Sequence, residues 1–185
     1  MKTDSITVYT VGHGNRTLDE LLRLLLNNAI KTLVDIRSYP YSRHFPHFSQ
    51  DALREALNSH GMDYHWAGRQ LGGMRKPAYP DSHPALTEDS LRGFAEYMQT
   101  NQFEPAVAQL LSIAAIGNTV ILCAEKSPER CHRALICDYL LLKNIIVVHL
   151  LGDKKRRIHR MSASARSESN RLVYDRNVTG NLQLH

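Results

Sequence analysis

Apolar positions along the chain fall into two alternating kinds of run. Ile6-Thr7-Val8-Tyr9-Thr10-Val11, Thr32 to Ile36, Thr119 to Cys123 and Ile145 to Leu150 are short and rich in β-branched residues, as buried strands are, and Tyr64-His65-Trp66 is a shorter candidate. Between them the spacing turns helical. Thr17-Leu18-Asp19-Glu20 matches a capping box with Thr17 as N-cap, and Leu18, Leu21, Leu22 and Leu25 follow on one face. Ser49 caps a second helix that carries Leu53, Ala56 and Leu57 and stops at Gly61. Thr87 or Asp89 opens a third, with Leu91, Phe94, Ala95 and Met98, and a fourth from about Pro105 carries Val107, Leu110 and Leu111. Ser127-Pro128, a serine N-cap followed by proline at N1, predicts a fifth helix running to about Lys143. Residues 67–86 hold three Gly and three Pro without either period, which predicts a long, mobile excursion near the site.

Strands alternating with helices predict an α/β fold of three layers, with a mostly parallel sheet of about five strands and helices on both faces. The expected division is a domain over residues 1–151 and a basic, Ser-rich C-terminal extension over 152–185. Charge supports that boundary. Basic and acidic residues balance up to Leu151, 15 against 15, whereas residues 152–185 hold eight basic and three acidic residues and so carry the whole formal charge of +5.

Met1-Lys2-Thr3-Asp4-Ser5 has no apolar h-region, and the richest apolar stretch, Leu135 to Leu151, is broken by Asp138 and Lys143. No membrane partner is expected. Cys123, Cys131 and Cys137 crowd into fifteen residues and read as reduced thiols rather than a stapled scaffold, which points to the cytoplasm. Gly12-His13-Gly14 is not a dinucleotide fingerprint because the G-x-G-x-x-G pattern fails at Thr17, so no cofactor is expected.

In open parallel sheets the ligand crevice lies beyond the carboxyl ends of the strands. Three polar clusters fall there: Gly12-His13-Gly14-Asn15-Arg16 after the first strand, Asp35-Ile36-Arg37-Ser38 after the second, and Cys123 to Arg133 after the fourth. Asn15, Arg16, Arg37, Arg43, Lys126, Arg130 and Arg133 are the candidate ligand-binding residues. A helix starting at Ser127-Pro128 beside three cations suits a phosphate. His13, Asp35, Glu125, Cys131 and His132 are the candidate catalytic groups. The carboxylates serve either as structural ion pairs or as general bases with a histidine counterpart. Cys131 in a first helical turn is a candidate low-pKa thiol, and Cys123 and Cys131 are a candidate reversible pair. No zinc spacing is present. Cys131 and His132, if both helical, stand about 100° apart around the axis and cannot easily share an ion, so no metal site is expected. Tyr39, Tyr41, Arg43, His44, Phe45, His47 and Phe48 interleave rings with cations, which suits stacking on a base beside a phosphate.

Gly12-His13-x-Asn15, Asp35-x-Arg37-x-x-Pro40 with Arg43 and Phe48, Leu71-Gly72-Gly73, and above all Cys123-x-Glu125-Lys126-x-Pro128-x-x-Cys131-His132-Arg133 resemble the domain of unknown function 488 family of bacteria and archaea. The resemblance covers roughly Val8 to Leu150. Gly14 stands where that family commonly has Ser, which removes a hydroxyl from the first turn. The resemblance implies a compact α/β domain with these motifs gathered at one pole, and a connection to nucleic-acid repair or modification. The combined expectation is an enzyme acting on a nucleotide or nucleic-acid substrate. Two alternatives stand beside it: a non-catalytic nucleic-acid-binding or regulatory module using the basic tail, and thiol- or metal-dependent chemistry at Cys123 and Cys131.

Overall fold

The computed structural model describes residues 6–176. Strands β1 (Thr7–Gly12), β2 (Thr32–Asp35), β3 (Asp63–Trp66), β4 (Thr119–Cys123) and β5 (Ile146–Gly152) are parallel, and β6 (Lys155–Ile158) lies antiparallel on the β5 edge, in the order β3-β2-β4-β1-β5-β6. The α/β architecture is the one the alternating pattern predicts, with one strand more.

Side-chain parity divides the interior into two apolar layers. Val11, Leu33, Val120, Leu122 and Leu150 pack with α1 (Leu18–Leu26) and α2 (Gln50–Ser59). Val8, Val34, Ile121, Cys123 and Val147 face the other way, onto α3 (Gly68–Leu71), α4 (Asp89–Tyr97), α5 (Phe103–Ala114) and α6 (Arg133–Leu142). Successive residues of each central strand serve opposite layers, so these strands read as continuous apolar runs. The capping box forms as expected: Glu20 N–H donates to Thr17 Oγ1 at 3.2 Å, and Thr17 N–H to Glu20 Oε2 at 2.8 Å.

One sequence expectation is corrected. The helix expected from Ser127 is split. Pro128–Arg130 forms a single 3-10 turn closed by Cys131 N–H on the Pro128 carbonyl, Cys131 is extended (φ −135°, ψ 139°), and α6 begins only at Arg133. Past residue 151 the chain continues with further strands. β6 extends the sheet, and a hairpin of β7 (Ala165–Glu168) and β8 (Arg171–Tyr174) buries Ala165, Leu172 and Tyr174 in the α4–α6 layer. Ser169 and Asn170 at its tip both have positive φ, 49° and 63°, as a tight two-residue hairpin turn requires. Residues 177–185 of that extension lie outside the described residues. No described helix is long and apolar enough to cross a membrane.

Candidate active site at the carboxyl ends of the strands

Register brings the three loops together. Gly12 is level with Cys123 and Asp35 with Leu122, so the chain leaves β1, β2 and β4 at nearly the same height. Backbone bonds then lace the exits: His13 N–H to the Cys123 carbonyl at 2.9 Å, Gly14 N–H to Ala124 at 2.9 Å, and Ile36 N–H to Leu122 at 3.0 Å. A Cβ at Gly12 would overlap the Glu125 carbonyl, so only glycine permits this approach. Gly14, where the family resemblance expects Ser, has φ of +53°.

The first two loops form a buried frame. Arg37 makes a bidentate pair with Asp35, Nη2 to Oδ2 at 2.6 Å and Nε to Oδ1 at 2.9 Å, and its Nη1 donates to the Phe48 carbonyl at 2.8 Å. Tyr64 donates to Asp35 Oδ2 at 2.7 Å, and burial with the adjacent carboxylate pushes its hydroxyl pKa up. Asp35 is fully buried and saturated with donors, an ion pair fixing the loop. His13 stacks on Phe48 at 4.4 Å between centroids, donates Nδ1–H to the Gly14 carbonyl, and has its pKa lowered by burial.

The third loop carries a different kind of cluster. His132 Nε2 lies 2.9 Å from the Leu71 carbonyl, which only accepts, so Nε2 holds the proton and Nδ1 keeps a free lone pair. That lone pair faces both thiols, 3.9 Å from Cys123 Sγ and 3.7 Å from Cys131 Sγ. The hydrogen bond from the Cys131 thiol, the largest influence, holds the Cys123 thiol well below its ordinary range despite burial, and the same Cys123–Cys131 bond, with burial, pushes Cys131 up. A Cβ at Gly73 would overlap the imidazole, so the 71–73 loop can lie against His132 only with glycine there. The expectation that Cys131 and His132 diverge around a helix fails, because Cys131 is extended and lies before α6.

Two adjoining cavities open over this pole. One, of about 1000 Å³, is lined by Ser38, Tyr39, Lys76, Glu125 and Arg130, with Cys123, Cys131 and His132 in its wall. The other, of about 480 Å³, is lined by His13, Asn15, Tyr41 and Lys126 and shares Arg37, Tyr39 and Glu125 with the first. Lys76, Lys126 and Arg130 are exposed and have no ion pair or side-chain hydrogen bond among the described residues.

The remaining expected cations sort differently. Arg16 donates to the carbonyls of Gly12 and Leu151, and Arg133, 1% exposed, donates to those of Glu125 and Lys126. With Arg37, which also lines both cavities, they tie down strand ends and loops. Arg43 is exposed and lines neither cavity. Glu125 is exposed, faces both cavities, and accepts from Ser127 N–H at 3.2 Å.

A family model described as "Domain of unknown function DUF488" matches residues 17–140. The chain belongs to this family. No curated protein and no solved structure matches it. The matched span of this DUF488 protein contains the second and third loops with their Cys123–Cys131–His132 cluster, and stops short of β5.

Sequence reasoning missed a second polar cluster, beneath α6. Thr10 Oγ1 lies 2.7 Å from His149 Nδ1, His149 Nε2 lies 2.9 Å from His159 Nδ1, and His159 Nε2 lies 2.8 Å from Asp138 Oδ1. Asp138 also accepts from Ser162 N–H, Ser162 Oγ and Tyr174. The one signal in the sequence is a histidine within the otherwise apolar Ile145 to Leu150 run.

Proposed function

We propose that this DUF488 protein is an enzyme acting on a nucleotide or nucleic-acid substrate bound at the carboxyl ends of its parallel strands. One observation carries the reading: unpaired cations and reactive side chains line the same cavity. Lys76 and Arg130 offer charge to phosphate oxygens, and Lys126 continues that charge into the smaller cavity. Tyr39 and Tyr41, 72% and 68% exposed, offer faces for a base. Glu125 provides an accessible carboxylate for proton transfer, and the Cys123–Cys131–His132 cluster brings the remaining chemistry.

Fluorescence anisotropy with a short single-stranded oligonucleotide tests this. Binding is expected to weaken steeply with salt, and Tyr39→Ala is expected to weaken it by about 1–3 kcal/mol per base stacked. Absent or salt-insensitive binding contradicts the reading. The non-catalytic alternative rests on Lys154, Lys155 and Arg156, exposed on the β5–β6 hairpin and unpaired among the described residues. It requires their replacement by Ala to abolish binding while the Tyr39 and Arg130 variants bind normally.

A further inference from the structure

We propose that Cys123, Cys131 and His132 bind a single zinc-class metal ion, with the fourth coordination position open to the larger cavity. The three ligand atoms lie within 4.8 Å of one another. Tetrahedral zinc, with bonds of ~2.3 Å to sulfur and ~2.05 Å to nitrogen, places its ligands about 3.6 Å apart for S···N and about 3.8 Å for S···S. The observed S···N separations, 3.9 and 3.7 Å, are within a few tenths of an ångström of that. Small rotations of the thiols close the difference.

The imidazole is already arranged as a ligand. Its Nε2–H is held by the Leu71 carbonyl, the outer-shell bond that fixes a metal-binding histidine's tautomer and orientation. Nδ1 is left to coordinate. Arg133 N–H, 3.5 Å from Cys131 Sγ, donates toward the sulfur that would become a thiolate. Two thiolates and one neutral imidazole balance a divalent charge, and binding releases the protons the two thiols still carry. Soft sulfur with imidazole favours zinc over magnesium or calcium, which require oxygen. Three protein ligands and one open position are the pattern of a catalytic rather than a structural zinc site.

A second trio, Cys137, His149 and His159, is equally compact, but its ring nitrogens already serve Thr10, each other and Asp138. A metal there would have to break that chain. In the first trio Nδ1 and the two sulfurs hydrogen-bond to no side chain but one another among the described residues, and a metal would replace those contacts.

The inference rests on the proposed active site for its role, yet its test needs no substrate. Full-length protein under reducing conditions, freed of metal, is titrated with Co²⁺ alone and then with Zn²⁺ alone. One equivalent of Co²⁺ is expected to give the intense visible bands of a tetrahedral site and the ultraviolet charge-transfer absorption of thiolate ligands, both removed by Zn²⁺. Cys131→Ser and His132→Asn are expected to weaken Zn²⁺ at least about 100-fold, beyond what loss of an outer-shell partner costs. Cys137→Ala is expected to leave it unchanged. The cobalt spectrum of the unaltered protein decides the ligand type even if a variant misfolds. Lack of thiolate-to-cobalt absorption, or loss of binding in Cys137→Ala but not Cys131→Ser, overturns the proposal. So does a 2-Da mass loss showing that the reduced pair oxidises to a disulfide while taking up no metal. Metal binding without oligonucleotide binding would instead sink the function proposed above and leave the metal site standing.

Discussion

Two clusters of histidine with cysteine adjoin α6, one at its head and one built on its Cys137, and they differ in whether their nitrogens are committed to groups outside the cluster. Beneath the helix, Thr10, His149, His159 and Asp138 form a chain closed to new ligands: each imidazole gives its one N–H to the next acceptor, and Asp138 takes three further donors. At the head of the helix, His132 gives its N–H to Leu71 and turns the lone pair of Nδ1 toward two thiols at a cavity wall. Similar residue types therefore do opposite work. A saturated network adds rigidity and uniqueness to the interior, while an unsaturated one at a cavity can take a ligand. On the proposed reading, fold stability belongs to the first cluster and chemistry to the second.

That division is open to attack, beginning with the largest effect. Asp138→Ala removes the acceptor of four donors in the closed cluster, so a loss of about 4 kcal/mol is expected by urea denaturation. Metal uptake at full folding is expected to persist. A loss under 1 kcal/mol would show that the closed chain is not structural.

The next effect is a pH dependence. Burial first, then the nearby charges of His159, Arg133 and Arg157, lower the His149 pKa from 6.5 to about 4, with Glu129 opposing. The unfolded chain thus binds a proton that the folded one refuses between those values. The His149 contribution to stability is expected to be full above about pH 6.5 and to fall as the pH drops toward 4, by about 3 kcal/mol in all. His149→Gln is expected to flatten that part of the curve.

In the open cluster the signs reverse. Cys131→Ser is expected to change stability by about 1 kcal/mol or less while abolishing tight metal binding. Arg130→Ala should lie within about 0.5 kcal/mol of the unaltered protein, and weaken oligonucleotide binding about three- to tenfold. A large stability loss from either would merge the two clusters' roles.

The local parts of the fold were legible because their causes are local. Thr17 and Glu20 are three residues apart, and the strands carry their own apolar runs. The gathering of three loops at one pole followed from strand ends in a parallel sheet. What escaped was set by distant partners. Arg16 answers a carbonyl at Leu151, and Arg133 turns back onto the loop before it, so both read from sequence as free cations. The extended Cys131 interrupts what serine and proline announce as one helix, and that interruption makes the Cys123–Cys131–His132 cluster compact. His149, His159 and Asp138 lie on β5, just beyond β6 and on α6, without any short spacing to betray them.

The claim that the open cluster, and not the closed one, takes a ligand is tested most directly by anomalous diffraction at the zinc edge from crystals grown with one equivalent of Zn²⁺. The expected map has one peak, about 2.3 Å from the Cys123 and Cys131 sulfurs and about 2.05 Å from His132 Nδ1. A peak among Cys137, His149 and His159, or none at the head of α6, would contradict it.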